Sequence, residues 1–180
     1  SSSMCTANGI TRSGAGSVHG VVGDFGRHLG ALPEGHRRMI AFLGSTIGNL
    51  EPEPRARFLA AIGRVLKPGE ALLLGADLVK DVGRLEAAYN DSAGITAEFN
   101  LNMLRVLNRE LRADFDLGGF TYVPFWDPHQ QRMDLRLRAE SPMRVSIPGA
   151  DVELQLASGE EIRMEISTKF TIEGIRDELA

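Results

Sequence analysis

Long apolar runs and helical segments alternate through the first part of the chain. "VHGVVGDF" is a short apolar run, and "RRMIAFLGST" and "EALLLGADL" have the continuous apolar pattern of strands buried on both faces. Between the last two, "PRARFLAAIGRVLK" carries its apolar residues at helical spacing. Strands and helices in this order predict βαβ units and a parallel sheet.

Helices are also predicted between residues 81 and 112, after the third apolar run. In "FNLNMLRVLNREL", the side chains of Phe99, Met103, Val106 and Leu107 are expected to face the core. This segment is an amphipathic helix by its spacing, so we expect it to pack on the sheet rather than to contact a cofactor.

From Phe120 onward, the pattern changes to short strands with one polar face. "FTYVPFW" and "QRMDLRLRAE" flank "DPHQ", which is typical of a hairpin, and "MRVSI", "DVELQLA" and "EIRMEIS" follow. A helix with Thr171 as its N-cap is predicted at the end. We therefore expect an α/β protein with a flexible or non-native tail at 1–17, a parallel α/β domain at 18–115 and a β-rich region at 116–180.

Composition narrows the class of function. The 180 residues are 43% hydrophobic and 24% charged, which is typical of a globular protein. A net charge of −4 without a Lys/Arg cluster argues against a nucleic-acid surface. The single cysteine, Cys5, excludes an internal disulfide, and no apolar run approaches the ~20 residues of a membrane span. We expect a cytoplasmic protein, a monomer, with no nucleic-acid or membrane partner.

Polar residues follow the predicted strands, where ligands bind in open parallel sheets. Asp24 and Phe25 could bind an adenine amino group and stack on its ring; alternatively, Asp24 is a cap and Phe25 belongs to the core. In "GSTIGN", Thr46 and Asn49 offer hydrogen bonds beside small residues; alternatively, this is a polar turn in which Asn49 caps the next helix. Asp77, after the third strand, is expected in a solvated loop.

Other positions leave the chemistry open. Tyr89 could face the core or cover a pocket with its hydroxyl group. Glu165 and Ser167 lie two residues apart on one face of a strand, which is either solvated or holds a ligand. The four histidines lack metal-ligand spacing, so no metal site is expected. The pattern alone indicates an α/β sheet with a β-rich addition, which is compatible with a nucleotide-like ligand, and it names no reaction.

Several long strings in the chain resemble one enzyme family. They are "VVGDFGRHL", "FLGSTIGNLEP", "ADLVKDVGRLEAAYNDSAGITAEFNLNMLRVLNRELRADFD" and "RMEISTKF". Together they resemble the histidine Nα-methyltransferases of ergothioneine biosynthesis, from about Val18 to the last residue. This resemblance implies a partial Rossmann-like methyltransferase sheet followed by a β-rich substrate-binding domain. It also implies transfer of three methyl groups from S-adenosylmethionine to the α-amino group of L-histidine, giving hercynine.

The resemblance also implies roles for particular residues. Asp24 and Phe25 would contact the adenine of S-adenosylmethionine. Asn49 and Tyr89 would be the catalytic residues: Asn49 orients the α-amino group, and Tyr89 binds the carboxylate. Gly44 and Thr46 would line the wall beside Asn49, and Thr96 would lie near Tyr89. Glu165 and Ser167 would hold the imidazole ring of the substrate.

The family's glycine-rich cofactor loop is expected upstream of "VVGDF", and the family continues past "TIEGIRDELA". We therefore expect this chain to be an internal and C-terminal part of such an enzyme that binds S-adenosylmethionine weakly by itself. Two alternatives stay open: an inactive fragment or binding remnant, and a methyltransferase that acts on another amine.

Overall fold

The structure, a computed structural model, describes residues 12–13, 16–17, 20, 22–33 and 37–180. These ranges form a mixed α/β fold. The strands are β1 (Arg12–Ser13), β2 (Gly16–Ser17), β3 (Met39–Phe42), β4 (Ala71–Leu74), β5 (Phe120–Asp127), β6 (Arg132–Ala139), β7 (Met143–Ile147), β8 (Val152–Leu156) and β9 (Glu161–Thr168). The helices are α1 (Pro52–Val65), α2 (Val82–Tyr89), α3 (Ile95–Leu111) and α4 (Ile172–Leu179).

The first sheet consists of β3 and β4, which are parallel and connected through α1, as the alternating pattern predicts. Helix α1 buries Phe58, Leu59 and Ile62 against one face of this sheet. The prediction that both strands are buried on both faces is wrong. Met39 at the start of β3 is 61% exposed and Leu73 in β4 is 46% exposed, because in the described part of the chain helix α1 packs on one face only.

The run "VHGVVGDF" does not form the predicted strand in its described part. Residues 22–24 form no strand, with a bend at Gly23, and a turn follows in which the amides of Arg27 and His28 bond to the carbonyl of Asp24 at 3.0 and 2.8 Å. Positions 18, 19 and 21 lie outside the described residues. Within the predicted tail, β1 and β2 pair antiparallel, and the other positions of 1–17 are also outside the described residues.

The β-rich part contains an antiparallel sheet in the order β5-β6-β9 and a separate β7-β8 hairpin. The predicted "DPHQ" hairpin is confirmed: the carboxylate of Asp127 accepts from the amides of His129 and Gln130 at 2.9 and 3.0 Å. The predicted cap of α4 is confirmed too, since the Thr171 hydroxyl accepts from the amide of Gly174 at 2.9 Å.

Helix α3 faces the β-rich part with a different side from the one its spacing predicts. The buried residues are Asn100 and Leu104, and the helix packs with the cluster formed by Phe115, Phe120 and neighbouring strands. Phe99 is 62% exposed and Met103 43% exposed. The expectation that these two side chains are core is therefore wrong, whereas Val106 and Leu107 are half-buried.

Strand β9 connects the β-rich part of the chain with the part that contains β3, α1 and β4. After it, Phe170 is buried among Ile47 and the α1 side chains, and it forms a parallel bridge with Leu78. A Cβ atom on Gly48 would lie 2.6 Å from the carbonyl oxygen of Thr168, so only glycine allows this approach. The division at 115 and 116 stays a prediction, but the turn after β3 lies directly against β9.

Candidate functional site

The turn that follows β3 presents Asn49 to strand β9. Gly44 and Ser45 have positive φ values of 80° and 58°, which turn the chain out of β3 into a 3-10 turn at Thr46–Asn49. The Nδ2 atom of Asn49 donates a hydrogen bond to Oε1 of Glu165. The alternative in which Asn49 caps α1 is wrong, since the N-cap position is Glu51.

Glu165 and Ser167 lie on one face of β9, as the alternation predicts. Ser167 is buried, and its Oγ lies 2.8 Å from the hydroxyl of Tyr89, the last residue of α2. Tyr122 in β5 donates to the backbone carbonyl of Tyr89 at 3.0 Å and holds this end of the helix. The Tyr89 hydroxyl therefore bonds to a polar side chain instead of being enclosed in the core. The Tyr89 ring packs beside the apolar cluster of Leu85, Met133 and Leu135.

Lys169 is a component of this cluster that the sequence interpretation missed. Its side chain is 1% exposed, and Nζ donates to the hydroxyl oxygens of Tyr89 and Ser167, at 2.7 Å each. Nζ also forms an ion pair with Oδ2 of Asp77 at 3.2 Å. Lys169 has the same parity along the chain as Glu165 and Ser167. The alternation therefore predicts that Lys169 lies on the same face as these two residues.

Asp77 is therefore not in a purely solvated loop, contrary to expectation. Burial by itself would raise the pKa of the Asp77 carboxyl, but hydrogen bonds from Lys80 and Lys169 outweigh it and hold the pKa below its usual value. Burial, with the charge of Glu165 nearby, raises the pKa of Tyr122 to about 12. Asp77 is thus an anion beside Lys169, and Tyr122 stays a protonated donor.

Thr96 lies in the first turn of α3, and Thr46 begins the 3-10 turn after β3. The carboxylate of Asp91 accepts from the amides of Ile95 and Thr96 at 2.9 and 2.8 Å, at the start of α3. A hydrogen bond from the Thr96 side chain is the largest cause that lowers the pKa of Asp91, to about 2. Thr46 donates to the carbonyl of Leu43 at 3.4 Å. Within the described residues, neither threonine bonds to Asn49 or Glu165.

Asp24 and Phe25 lie in a turn that places Phe25 beside β3 and α1. The Oδ1 atom of Asp24 accepts from the amide of Gly26 at 2.8 Å, while its other carboxylate oxygen is 3.6 Å from Nε of Arg27. Phe25 packs against Phe42 and Phe58 with ring centroids 5.4 and 5.5 Å away, and it stays 49% exposed. Both alternatives thus apply in part: Asp24 stabilises a turn, and Phe25 covers the core while leaving an open ring face.

A groove of about 420 Å³ runs beside Phe25, lined mainly by apolar side chains that include Ile40, Phe42 and Phe58. An open aromatic face next to a carboxylate oxygen suits the adenine of a nucleoside cofactor. No group of three or more His, Cys, Asp or Glu side chains within the described ranges could hold a metal ion. No described helix is long and apolar enough to cross a membrane.

The cluster formed by Asn49, Tyr89, Glu165, Ser167 and Lys169, called here the polar cluster, offers both acceptors and donors. It contains a carboxylate, two hydroxyls, an ammonium group and the amide of Asn49, which follows β3. Such a set is able to bind and orient a small polar ligand that itself has donors and acceptors.

Comparison with known proteins adds a family. A family model described as "Histidine-specific methyltransferase, SAM-dependent" matches residues 9–180, beginning inside the segment 1–17. The chain is 51% identical over 163 residues to "Histidine N-alpha-methyltransferase" of Mycolicibacterium smegmatis, covering 91% of this chain and 51% of that protein. It is 48% identical over 176 residues to the protein of the same name from Mycobacterium tuberculosis, covering 97% of this chain and 55% of that protein.

A third relative is "Ergothioneine biosynthesis protein 1" of Neurospora crassa, 43% identical over 94 residues, which are 50% of this chain and 11% of that protein. The chain thus spans about half the length of the two bacterial relatives that it matches. The match of the family model to nearly every residue, together with these identities, shows that the chain belongs to the family of SAM-dependent, histidine-specific methyltransferases.

Proposed function

We propose that the protein containing this chain transfers methyl groups from S-adenosylmethionine to the α-amino nitrogen of L-histidine, giving Nα,Nα,Nα-trimethylhistidine in ergothioneine biosynthesis. The observation that carries the proposal is the contact of Asn49 with Glu165 and of Tyr89 with Ser167. Each contact joins residues that are at least 78 positions apart in the chain, and the resemblance implies a substrate-binding role for all four residues. The names of the relatives support the same reaction.

Glu165 and Ser167 are proposed to bind the imidazole ring. A neutral imidazole has one N–H donor and one nitrogen acceptor, which match a carboxylate and a hydroxyl. An apolar side chain in the same place would leave the buried Ser167 hydroxyl and the half-buried Glu165 carboxylate without ligand partners, which costs affinity. The wall formed by β9 thereby selects histidine.

Asn49 and Tyr89 are proposed to position the amino acid part. The Nδ2 atom of Asn49 is held by Glu165, so Oδ1 of Asn49 is directed as an acceptor for an N–H of the substrate's amine. The Tyr89 hydroxyl is proposed to donate to the substrate carboxylate. Methyl transfer depends mainly on alignment of the amine with the methyl group, so these contacts contribute by holding near-attack geometry.

The residues beside the groove fit one part of the cofactor. Phe25 and Asp24, which together line a second groove of about 420 Å³ beside α1, would hold the adenine, by ring contact and by a hydrogen bond from its amino group. When bound, S-adenosylmethionine supplies the electrophilic methyl group. Gly44 and Thr46 would form the wall next to the amine, and Thr96 the wall next to Tyr89. We also propose that β3, α1 and β4 are part of a Rossmann-like sheet. The protein is further proposed to be a monomer in the cytoplasm.

The first prediction concerns Glu165. In the complete gene product, Glu165→Ala should weaken binding of L-histidine about tenfold to a hundredfold, since a hydrogen bond to a charged group contributes about 1.5–3 kcal/mol. Calorimetric titration with L-histidine, in the presence of S-adenosylhomocysteine to prevent turnover, measures this change. Glu153→Ala is the matched control, because Glu153 of β8 pairs with Arg144 of β7 in a separate hairpin.

The outcome also distinguishes the alternatives. If Glu165→Ala leaves the preference for histidine over other amino acids unchanged, the imidazole assignment is wrong and a methyltransferase for another amine is favoured. If the unmodified protein binds no L-histidine at all, the proposed substrate itself is wrong.

A further inference from the structure

The ammonium group of Lys169 is completely enclosed by the polar cluster and its neighbours. Its side chain is 1% exposed, and three oxygen atoms surround Nζ: the Tyr89 hydroxyl and Ser167 Oγ at 2.7 Å, and Asp77 Oδ2 at 3.2 Å. An ammonium group has three N–H donors and no acceptor. These three oxygens therefore use its whole donor capacity, and Lys169 has none left for a ligand.

This geometry determines the direction of both hydroxyl groups. Because the Tyr89 and Ser167 oxygens each accept from Lys169, their own O–H bonds must point away from the ammonium group. The two hydroxyls also lie 2.8 Å from each other, so one of their protons closes that contact and the other is directed outward. When a ligand with two acceptors separates them, both hydroxyls can donate to it.

We propose that Lys169 is a positioning residue that makes Ser167 and Tyr89 hydrogen-bond donors, so that the site binds the neutral form of the imidazole ring. The inference rests on the proposed function. Ser167 then donates to the unprotonated ring nitrogen while Glu165 accepts from the ring N–H, and Tyr89 donates to the carboxylate. An imidazolium ring has two N–H donors and no acceptor, so it would direct an N–H at the Ser167 proton and face the positive charge of Lys169.

Charged and titratable groups lie near Lys169 on the segment after β4, on α2 and on β9. Asp77 follows β4 and also pairs through Oδ1 with Lys80 at 2.7 Å, and Tyr89 ends α2 with its ring centroid 4.8 Å from Nζ. On β9 itself, Glu165 lies beyond Ser167. Asp77 balances the charge of Lys169, so removal of Lys80, which binds the opposite oxygen of Asp77, should not alter the hydroxyl directions.

The test measures binding of L-histidine to the complete gene product at pH 7 and pH 5.5, with S-adenosylhomocysteine present. A free imidazole has a pKa of about 6.5, so selection of the neutral ring should raise Kd about fivefold to tenfold at the lower pH. In Lys169→Met, we expect weaker binding at pH 7 and a rise of less than about twofold at pH 5.5. The control Lys80→Met should keep the rise of the unmodified protein.

If Lys169→Met does not fold, as judged by circular dichroism, Lys169→Leu replaces it, since it also lacks both the charge and the N–H donors. A second measurement needs no variant: the ¹⁵N spectrum of ring-labelled L-histidine bound at pH 5.5 should show one neutral tautomer. A bound imidazolium, a Kd that does not rise in the unmodified protein, or an unchanged rise in the Lys169 variant would overturn the inference. Absence of histidine binding at both pH values would instead contradict the proposed function.

Discussion

At the scale of single residues, the polar cluster depends on a close backbone approach at Gly48. The turn after β3 passes so near to Thr168 that a Cβ atom at Gly48 would lie 2.6 Å from a backbone oxygen, which cannot move away as a flexible side chain could. The next residue is Asn49, whose amide bonds to Glu165. The approach of Gly48 to β9 therefore sets the distance between Asn49 and Glu165.

The second prediction follows from this approach. Gly48→Ala should lower the free energy of unfolding by about 1–3 kcal/mol, the usual cost of forcing an extra carbon into a packed site. It should also weaken histidine binding, because Asn49 is displaced from Glu165. Gly63→Ala is the matched control: Gly63 is an exposed position in α1 with no atom near its would-be Cβ, and alanine there should stabilise the protein by about 0.5–1 kcal/mol. Urea unfolding of both variants measures the difference, and equal stabilities would contradict the account.

At the scale of elements, local pattern predicts the type of each element better than the face it buries. The strands of the β-rich part and the cap at Thr171 follow from alternation and capping chemistry, which are local properties. The orientation of α3 does not, since both Phe99 and Leu104 are apolar and the strands that pack on the helix select Leu104. Parity predicts the face on which Lys169 lies, but it does not predict the contacts of Lys169, because Asp77 and Tyr89 are about eighty residues or more away.

The third prediction concerns the start of α3, where the pKa of Asp91 is lowered to about 2 by its bonds to Thr96 and Ile95. A carboxyl whose pKa is lower in the folded state stabilises the fold above its unfolded pKa, and that contribution is lost as the pH falls through the folded value. Asp91→Ala should therefore reduce Tm at pH 7, and the difference from the unmodified protein should shrink between about pH 4 and about pH 2. Thermal unfolding followed by circular dichroism checks this, and a difference that stays constant over that range would contradict it.

At the scale of the whole molecule, the β-rich part supplies side chains to the rest of the chain. Phe170 is buried with Ile47 and the residues of α1. Glu51, just before α1, forms ion pairs with Arg132 of β6 and Arg163 of β9 at 2.9 and 3.1 Å. The proposed site lies along this junction, so the turn after β3 and strand β9, which are proposed to bind the amine and the imidazole, are fixed relative to each other.

The most direct test of the account is methyl transfer itself. The complete gene product is incubated with L-histidine and S-adenosylmethionine that carries a ¹³C methyl group, and the amino acid is analysed by mass spectrometry and NMR. The account predicts that the label appears on the α-nitrogen of histidine, with up to three methyl groups added, and not on the ring. Labelling of a ring nitrogen, or transfer to another amine while histidine stays unmodified, would contradict it.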